Sequence, residues 1–485
     1  MKKIIIPSVC IALCSNILFA QQDRVTGQTV PSTQPAGVPW CASKAPDPSW
    51  DQAFNKEVEK YKANMRTSGT TSITNYVVPV IVHVIHSGQA EGTWPNISQA
   101  QVNSQIVVLN NDYSNNGAGV TQYNAISNNG HGAFYDYAQA NSLPAPDNTT
   151  SGVVPCNTGI QFCMATVDPN GKTLAEPGID RVNYTTAGFA GPSSSTSANF
   201  DSYLDATLKP AVIWDNTKYM NIYVSDRPSG SGLLGYTTFP AGTTLSGLTS
   251  GAGTTKNDGV WVYGQSFGTT GTLVSGYEGG QVCGHESGHY FGLRHPWGDG
   301  TCLTDYCNDT PPSYAANYPT GNTIQYPYTN TSGTCSGSNG TDNGDGEMYE
   351  NLMDYSEDVY KYMFTNDQVT RMQTAMQTSP YRKTLSNSVC ASNATGIFSQ
   401  LLQNNIVAYP NPGNGNINFV TTLPVAVDLA FVVTNVLGQV VAEKSEKNVS
   451  NNVLNLDLSG QAKGVYFVNI SSSQQEKTIK KIIIE

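Results

Sequence analysis

Residues 285–295 read HESGHYFGLRH, so three of the chain's six histidines fall inside one short stretch. On a helix, His285 and His289 lie four residues apart and project from one face toward a common ion. Imidazole nitrogen suits zinc, and three protein ligands leave the fourth position open for chemistry. Glu286, beside the first ligand, is placed to take a proton from water on that zinc and pass it to a leaving group. Gly292 can adopt a positive φ that ends the helix and lets the chain swing His295 in as third ligand. The pattern predicts zinc-assisted hydrolysis.

Elements on either side must hold this stretch in place. "NYVVPVIVHVI" (75–85) is β-branched and reads as a buried strand, with further strands at 160–167, 219–225 and 259–264. His83, within the first of these, reads as a core or surface residue rather than a ligand. Ser98 and Gln101 form a capping box ahead of a helix that buries Val102, Ile106 and Leu109. Thr365 and Gln368 form a second box, ahead of Val369, Met372 and Met376. Trp50, Phe54, Val58 and Tyr61 recur at helical spacing within an otherwise polar, loop-like segment, the profile of a pro-region. Mixed strands and helices over about 320 residues imply one sizeable α/β domain with long irregular loops. From about residue 404 the texture changes to short alternating stretches separated by Gly, Asn and Pro, the pattern of a small all-β sandwich.

The 485 residues are 39% apolar and 13% charged, with net charge −11 and no basic block, which argues against nucleic-acid binding. The opening "MKKIIIPSVCIALCSNILFAQQ" combines Lys2 and Lys3 with a short apolar run ending at Ala20, a cleavable secretory signal. No other apolar run approaches a membrane span, so the mature form should have none. Cleavage removes Cys10 and Cys14 and leaves eight cysteines, an even number that suggests disulfides in an exported chain. Cys156 and Cys163 are close enough in sequence to pair locally, and Cys302, Cys307 and Cys335 flank a polar loop that a disulfide would clamp.

The zinc stretch followed by "YENLMDYSED" resembles the metzincin metallopeptidases. "VPVIVHVIHS", "IQFCMATVDPNG", "WDNTKYMNIYV", "DGVWVYGQSFGTTG", "DTPP" and "FTNDQVTRM", in this order, narrow the resemblance to the pappalysin (cytophagalysin, ulilysin-like) family over about 75–380. The resemblance implies an α/β metzincin catalytic domain: a twisted mixed sheet with helices, a zinc cleft, and an irregular lower subdomain reached through Gly292. It implies a secreted endopeptidase in which Met353 forms a floor under the three imidazoles and Tyr355 stabilises an oxyanion. It also implies calcium, for which Asp299, Asp305, Asp309 and the Thr310 carbonyl offer hard oxygen donors. Cys41 has two readings: a pro-region thiolate on the zinc that holds the enzyme latent, as in relatives, or a disulfide partner. The family pattern departs at Cys307 and at Tyr360, where a cysteine is usual, so Cys335 is expected to pair with Cys302 or Cys307. Cys283, two residues before His285, should point away from the zinc and be buried.

"AYPNPGNGNINF", "VTNVLGQVV", "LNLDLSGQAKGVYFVNI" and "EKTIKKIIIE" resemble the sorting domain of type IX secretion substrates. The resulting division is signal peptide 1–20, pro-region 21–72, catalytic domain 73–390, linker 391–403 and sorting β-sandwich 404–485. It implies export through the periplasm to the outer-membrane surface or beyond, with the type IX machinery and protein or peptide substrates as partners. The competing function is a surface binding or adhesion protein that retains a metallopeptidase shell. An intact Glu286 argues against it, since a binder has no use for that base. In "SEDVYKY", Glu357 and Asp358 would draw basic substrate residues, or Val359 and Tyr360 would make the pocket apolar.

Overall fold

A computed structural model describes residues 28–30, 41–43, 46, 48–68, 73–115, 127–128, 131–134, 137–138, 153–241, 252–319, 326–330, 332–333, 335, 346–385, 397–398, 402, 405–423, 427–436, 439–450, 452–472 and 476–485. The signal peptide expected at 1–20 lies outside these, as do most of the early pro-region and most of the linker.

The apolar run expected at 75–85 is the central strand β1 (Tyr76–His86), with nine of its eleven residues buried. It pairs in parallel along one edge with β2 (Ile160–Met164) and then β3 (Ile179–Asn183), and along the other with β4 (Met220–Ser225). Near-continuous burial is what a parallel strand covered on both faces requires. The sheet continues to β6 (Val260–Tyr263), parallel to β4, and ends at β5 (Gly235–Thr237), antiparallel to β6 and therefore an edge strand. His83 is a fully buried core residue between Asp180 Oδ2 (2.8 Å) and Asn221 Oδ1 (2.9 Å).

Helix α2 (Gln99–Tyr113) starts at Ser98, whose hydroxyl accepts the Gln101 N–H. The Gln101 side chain does not complete the expected box. Its Nε2 donates to the Gly264 and Phe267 carbonyls, both at 2.9 Å. Those loop carbonyls are buried, and satisfying them outweighs a reciprocal cap. One turn later Gln105 Nε2 donates to Gly280 O at 2.9 Å, tying α2 to the start of α3 (Gln281–Tyr290), the helix of the zinc stretch. After α3 the described residues form no helix or regular strand until α4 (Asn366–Thr378), where the Thr365–Gln368 box is complete.

The aromatic stripe near the N-terminus lies on α1 (Pro48–Ser68). It is docked, not loose: Trp50, Phe54 and Val58 pack with Phe239 and with Ala375 of α4. From Ile406 onward the regular elements are all strands. A three-stranded antiparallel sheet joins β7 (Ile406–Tyr409), β8 (Asn416–Thr421) and β11 (Val453–Asp457). A second contains β9 (Val427–Asn435), β10 (Val440–Val449), β12 (Gly464–Ser472) and β13 (Glu476–Ile484), with 397–398 on its edge. Their inward rows, including Ile417, Phe419, Phe431, Val468 and Ile482, make a core separate from that of the α/β body.

Candidate active site

Helix α3 presents His285 and His289 on one face, both buried. Gly292, at φ 94°, turns the chain out of the helix and brings His295 beside them. Each imidazole faces an oxygen through Nδ1: Leu352 O at 2.8 Å for His285, Leu293 O at 2.8 Å for His289, and Asp299 Oδ1 for His295. Nδ1 must therefore carry the proton. Burial and the neighbouring rings hold His285 and His289 well below the usual histidine range, His289 at about 3, so both are neutral. Their Nε2 atoms are then lone pairs. His289 Nε2 lies 3.2 Å from that of His285 and 3.1 Å from that of His295. Lone pairs that close repel unless a cation sits among them.

The fourth group is Cys41, a free and buried thiol whose Sγ lies 3.6 Å from His289 Nε2. Ligand atoms of Cys41, His285, His289 and His295 all fall within 4.8 Å of one another. A tetrahedral ion bound at about 2.0–2.1 Å by nitrogen and 2.3 Å by sulfur spaces its ligands about 3.3–3.6 Å apart. The donor set fits zinc. Cys41 is in no disulfide.

Glu286 is fully buried, which pushes its carboxyl up to about 7. Its Oε2 accepts from Ser43 Oγ at 2.8 Å, and Oε1 has no hydrogen-bond partner. Met353 lies beneath α3, in contact range only because position 288 is glycine: a Cβ there would come within 2.3 Å of the Met353 sulfur. The Tyr355 ring is 5.8 Å from that of His285 and 5.0 Å from that of His295. Its hydroxyl donates to the Cys41 carbonyl at 3.2 Å.

Several contributors escaped the sequence reading. Asp299, assigned there to calcium, instead accepts from His295 and from Arg294 Nη1 (2.8 Å). Burial alone would raise its carboxyl, but the His295 contact prevails and holds it at about 2. Its place four residues after a ligand was the available signal. Asp299→Asn should weaken zinc binding about 10- to 100-fold, readable by competition with a chromophoric chelator. Trp297 stacks on His295 with centroids 4.5 Å apart. Arg294 also pairs with Asp51 of α1 and donates to Pro46 O at 3.0 Å. These contacts bridge more than 240 residues and have no sequence signature.

The other oxygen donors proposed for calcium are engaged within the protein. Asp305 accepts from Thr310 Oγ1 at 2.8 and 2.9 Å, and the Thr310 carbonyl accepts from Tyr137 at 3.0 Å. Asp309 accepts from Thr365 Oγ1 (2.7 Å) and from Asp367 N (2.8 Å) at the start of α4. Among the described residues, the Cys41–histidine group is the one metal-like cluster.

One cysteine expectation holds, since Cys335 pairs with one of its two candidates, and the local Cys156–Cys163 pairing needs correction. Cys302 pairs with Cys335, while Cys156 and Cys307 are free. Cys163 is disulfide-bonded, but not to Cys156. It sits on β2 opposite Pro79, while Cys156, ahead of that strand, donates its N–H to Phe364 O at 2.9 Å. Cys283 is buried as expected. Of the specificity candidates, Glu357 is exposed, whereas Asp358 turns inward and accepts from Gly279 N (3.0 Å) and Gln281 N (3.2 Å) at the start of α3. Val359 is half-buried and Tyr360 buried. Asp358→Ala should cost at least about 1–2 kcal/mol of stability through the lost cap, measurable by urea unfolding.

Residues 203–377 match the family model described as pregnancy-associated plasma protein-A, a peptidase family. This segment is similar to the pappalysin peptidases. Residues 407–485 match the secretion system C-terminal sorting domain. The chain is similar to an extracellular metalloprotease of Arthroderma otae, 31% identical over 186 residues, 38% of this chain and 60% of the relative. One from Pyricularia oryzae is 30% identical over 42% of this chain and 60% of the relative. The chain thus spans about 60% or less of these curated relatives' length. Among solved structures, Tannerella forsythia mature mirolysin in complex with a cleaved peptide is 28% identical, covering 65% of this chain and 97% of that one, with TM-score 0.45. Promirolysin from the same organism is 26% identical over 72% of this chain and 97% of that one, with TM-score 0.47.

Proposed function

We propose that the chain is a secreted zinc endopeptidase made as a latent precursor. The observation that carries this reading is the convergence of three imidazole lone pairs beside a buried, partly unpartnered carboxylate. His285, His289 and His295 would hold the ion. When bound, zinc supplies Lewis acidity toward a peptide carbonyl and toward water. Glu286 takes the proton from the attacking water, a transfer suited to a carboxyl that burial has lifted to about 7, and delivers it to the departing amine. The Tyr355 hydroxyl already donates to a peptide carbonyl, that of Cys41, and would make the same bond to the oxyanion of a substrate. Met353 supports the imidazoles from below.

Latency would come from Cys41, whose thiol takes the remaining position around the ion until its segment is removed. The match at 407–485 supports export by type IX secretion, with the β-sandwich as sorting signal. Among the described residues no helix is long and apolar enough to cross a membrane. A test is hydrolysis of casein or gelatin by the activated protein, its loss with a chelator, and its return with zinc. Binding of protein ligands without any hydrolysis would favour the adhesin reading instead.

A further inference from the structure

We propose that the cleft reads a two-point peptide ligand, a thiol followed two residues later by a hydroxyl, and that Ser43 is the second point. This rests on reading the site as a zinc peptidase held latent by Cys41.

The Cys41 segment lies alongside β5, the antiparallel edge strand of the sheet. Cys41 bridges to Gly235 in parallel, and Ala42 N donates to Gly235 O at 3.1 Å. In an extended segment, residues two apart point to the same side. Cys41 and Ser43 therefore both enter the cleft, and both are buried. Cys41 goes to the histidines. The Ser43 hydroxyl accepts from Thr237 N on β5 at 2.8 Å, so its single proton is committed to Glu286 Oε2, also at 2.8 Å. The Ser43 N–H meanwhile donates to Cys41 Sγ at 3.4 Å. One residue thus occupies the general base, an edge-strand donor and the back of the thiol together.

This geometry discriminates among ligands. Alanine at the second point would leave the Thr237 N–H and the Glu286 oxygen buried and unpaired. Aspartate would set two carboxylates against each other. Threonine keeps the hydroxyl. The recognised class is Cys-x-Ser or Cys-x-Thr, and peptides of this class should also bind in trans once the segment has left.

The test uses the activated, zinc-loaded protein and a fluorescent peptide spanning residues 39–46, with affinity read by anisotropy. Replacing the peptide's serine by alanine should weaken binding about tenfold or more, and replacing it by threonine should restore most of the loss. In protein carrying Glu286→Ala, the difference between serine and alanine peptides should shrink severalfold. Equal affinity of the serine and alanine peptides, or a difference unchanged by Glu286→Ala, would overturn the proposal. Because binding is measured without turnover, a protein that binds selectively yet hydrolyses nothing sinks the peptidase reading alone. One that hydrolyses casein but ignores the serine sinks this inference alone.

Discussion

Activated protein carrying Glu286→Gln should keep its zinc and lose about 10²–10⁴ in kcat/KM on a peptide substrate. Glutamine has the same shape and still accepts a hydrogen bond, but it cannot take the proton from an attacking water. The carboxyl it replaces is fully buried, lies next to the first histidine, and has one oxygen without a protein partner. The Ser43 hydroxyl that donates to this carboxylate in the precursor can donate equally to the amide oxygen of glutamine, so zinc content should not fall with activity. Undiminished hydrolysis would remove Glu286 from the mechanism. Loss of activity together with zinc would show only that the site had collapsed.

The second large effect is expected in the precursor. Cys41→Ala should release activity without proteolytic trimming. The wild-type segment is tethered, and a short tether presents its thiol at an effective concentration of about millimolar or above. Without the thiol, the Ser43 and Ala42 contacts, the Tyr355 hydrogen bond and the Arg294–Pro46 bond still hold the segment across the cleft. Hydrolysis by the uncleaved precursor should rise by about tenfold or more, and Cys41→Ala with Ser43→Ala should rise further. The comparison is made on intact precursor, checked by mass, with and without chelator. A Cys41→Ala precursor as silent as wild type would place latency elsewhere, for example in the docking of α1 through Asp51 and Arg294.

The candidate zinc site was legible because its three histidines lie on one helix and the turn that ends it. Spacing alone fixed the shared face of His285 and His289, and Gly292 marked the turn. Met353 and Tyr355 were legible only through family resemblance, since a lone methionine or tyrosine carries no periodic signal. The partners that orient the imidazoles were harder. The Leu352 and Leu293 carbonyls are backbone groups with no side-chain signature, and Asp299 was read as one of several acids in a loop. Local spacing misled at Cys156 and Cys163, because the chain anchors Cys156 at Phe364 and Cys163 on β2. The reverse held at the N-terminus. The stripe of α1 announced a buried face, but its cover, Phe239 and Ala375, came from remote parts of the chain. The same is true of Ser43, which meets Glu286 across 243 residues. Caps were predictable where nothing competed, as at Thr365. At Gln101, buried carbonyls took the side chain instead.

The coordination of zinc in the intact precursor and after activation tests the account most directly. X-ray absorption at the zinc edge should show three nitrogen neighbours at about 2.0–2.1 Å and one sulfur at about 2.3 Å in the precursor. After removal of the Cys41 segment the sulfur should vanish and the three nitrogens remain. A precursor with no sulfur neighbour, or an activated protein that keeps one, would contradict it.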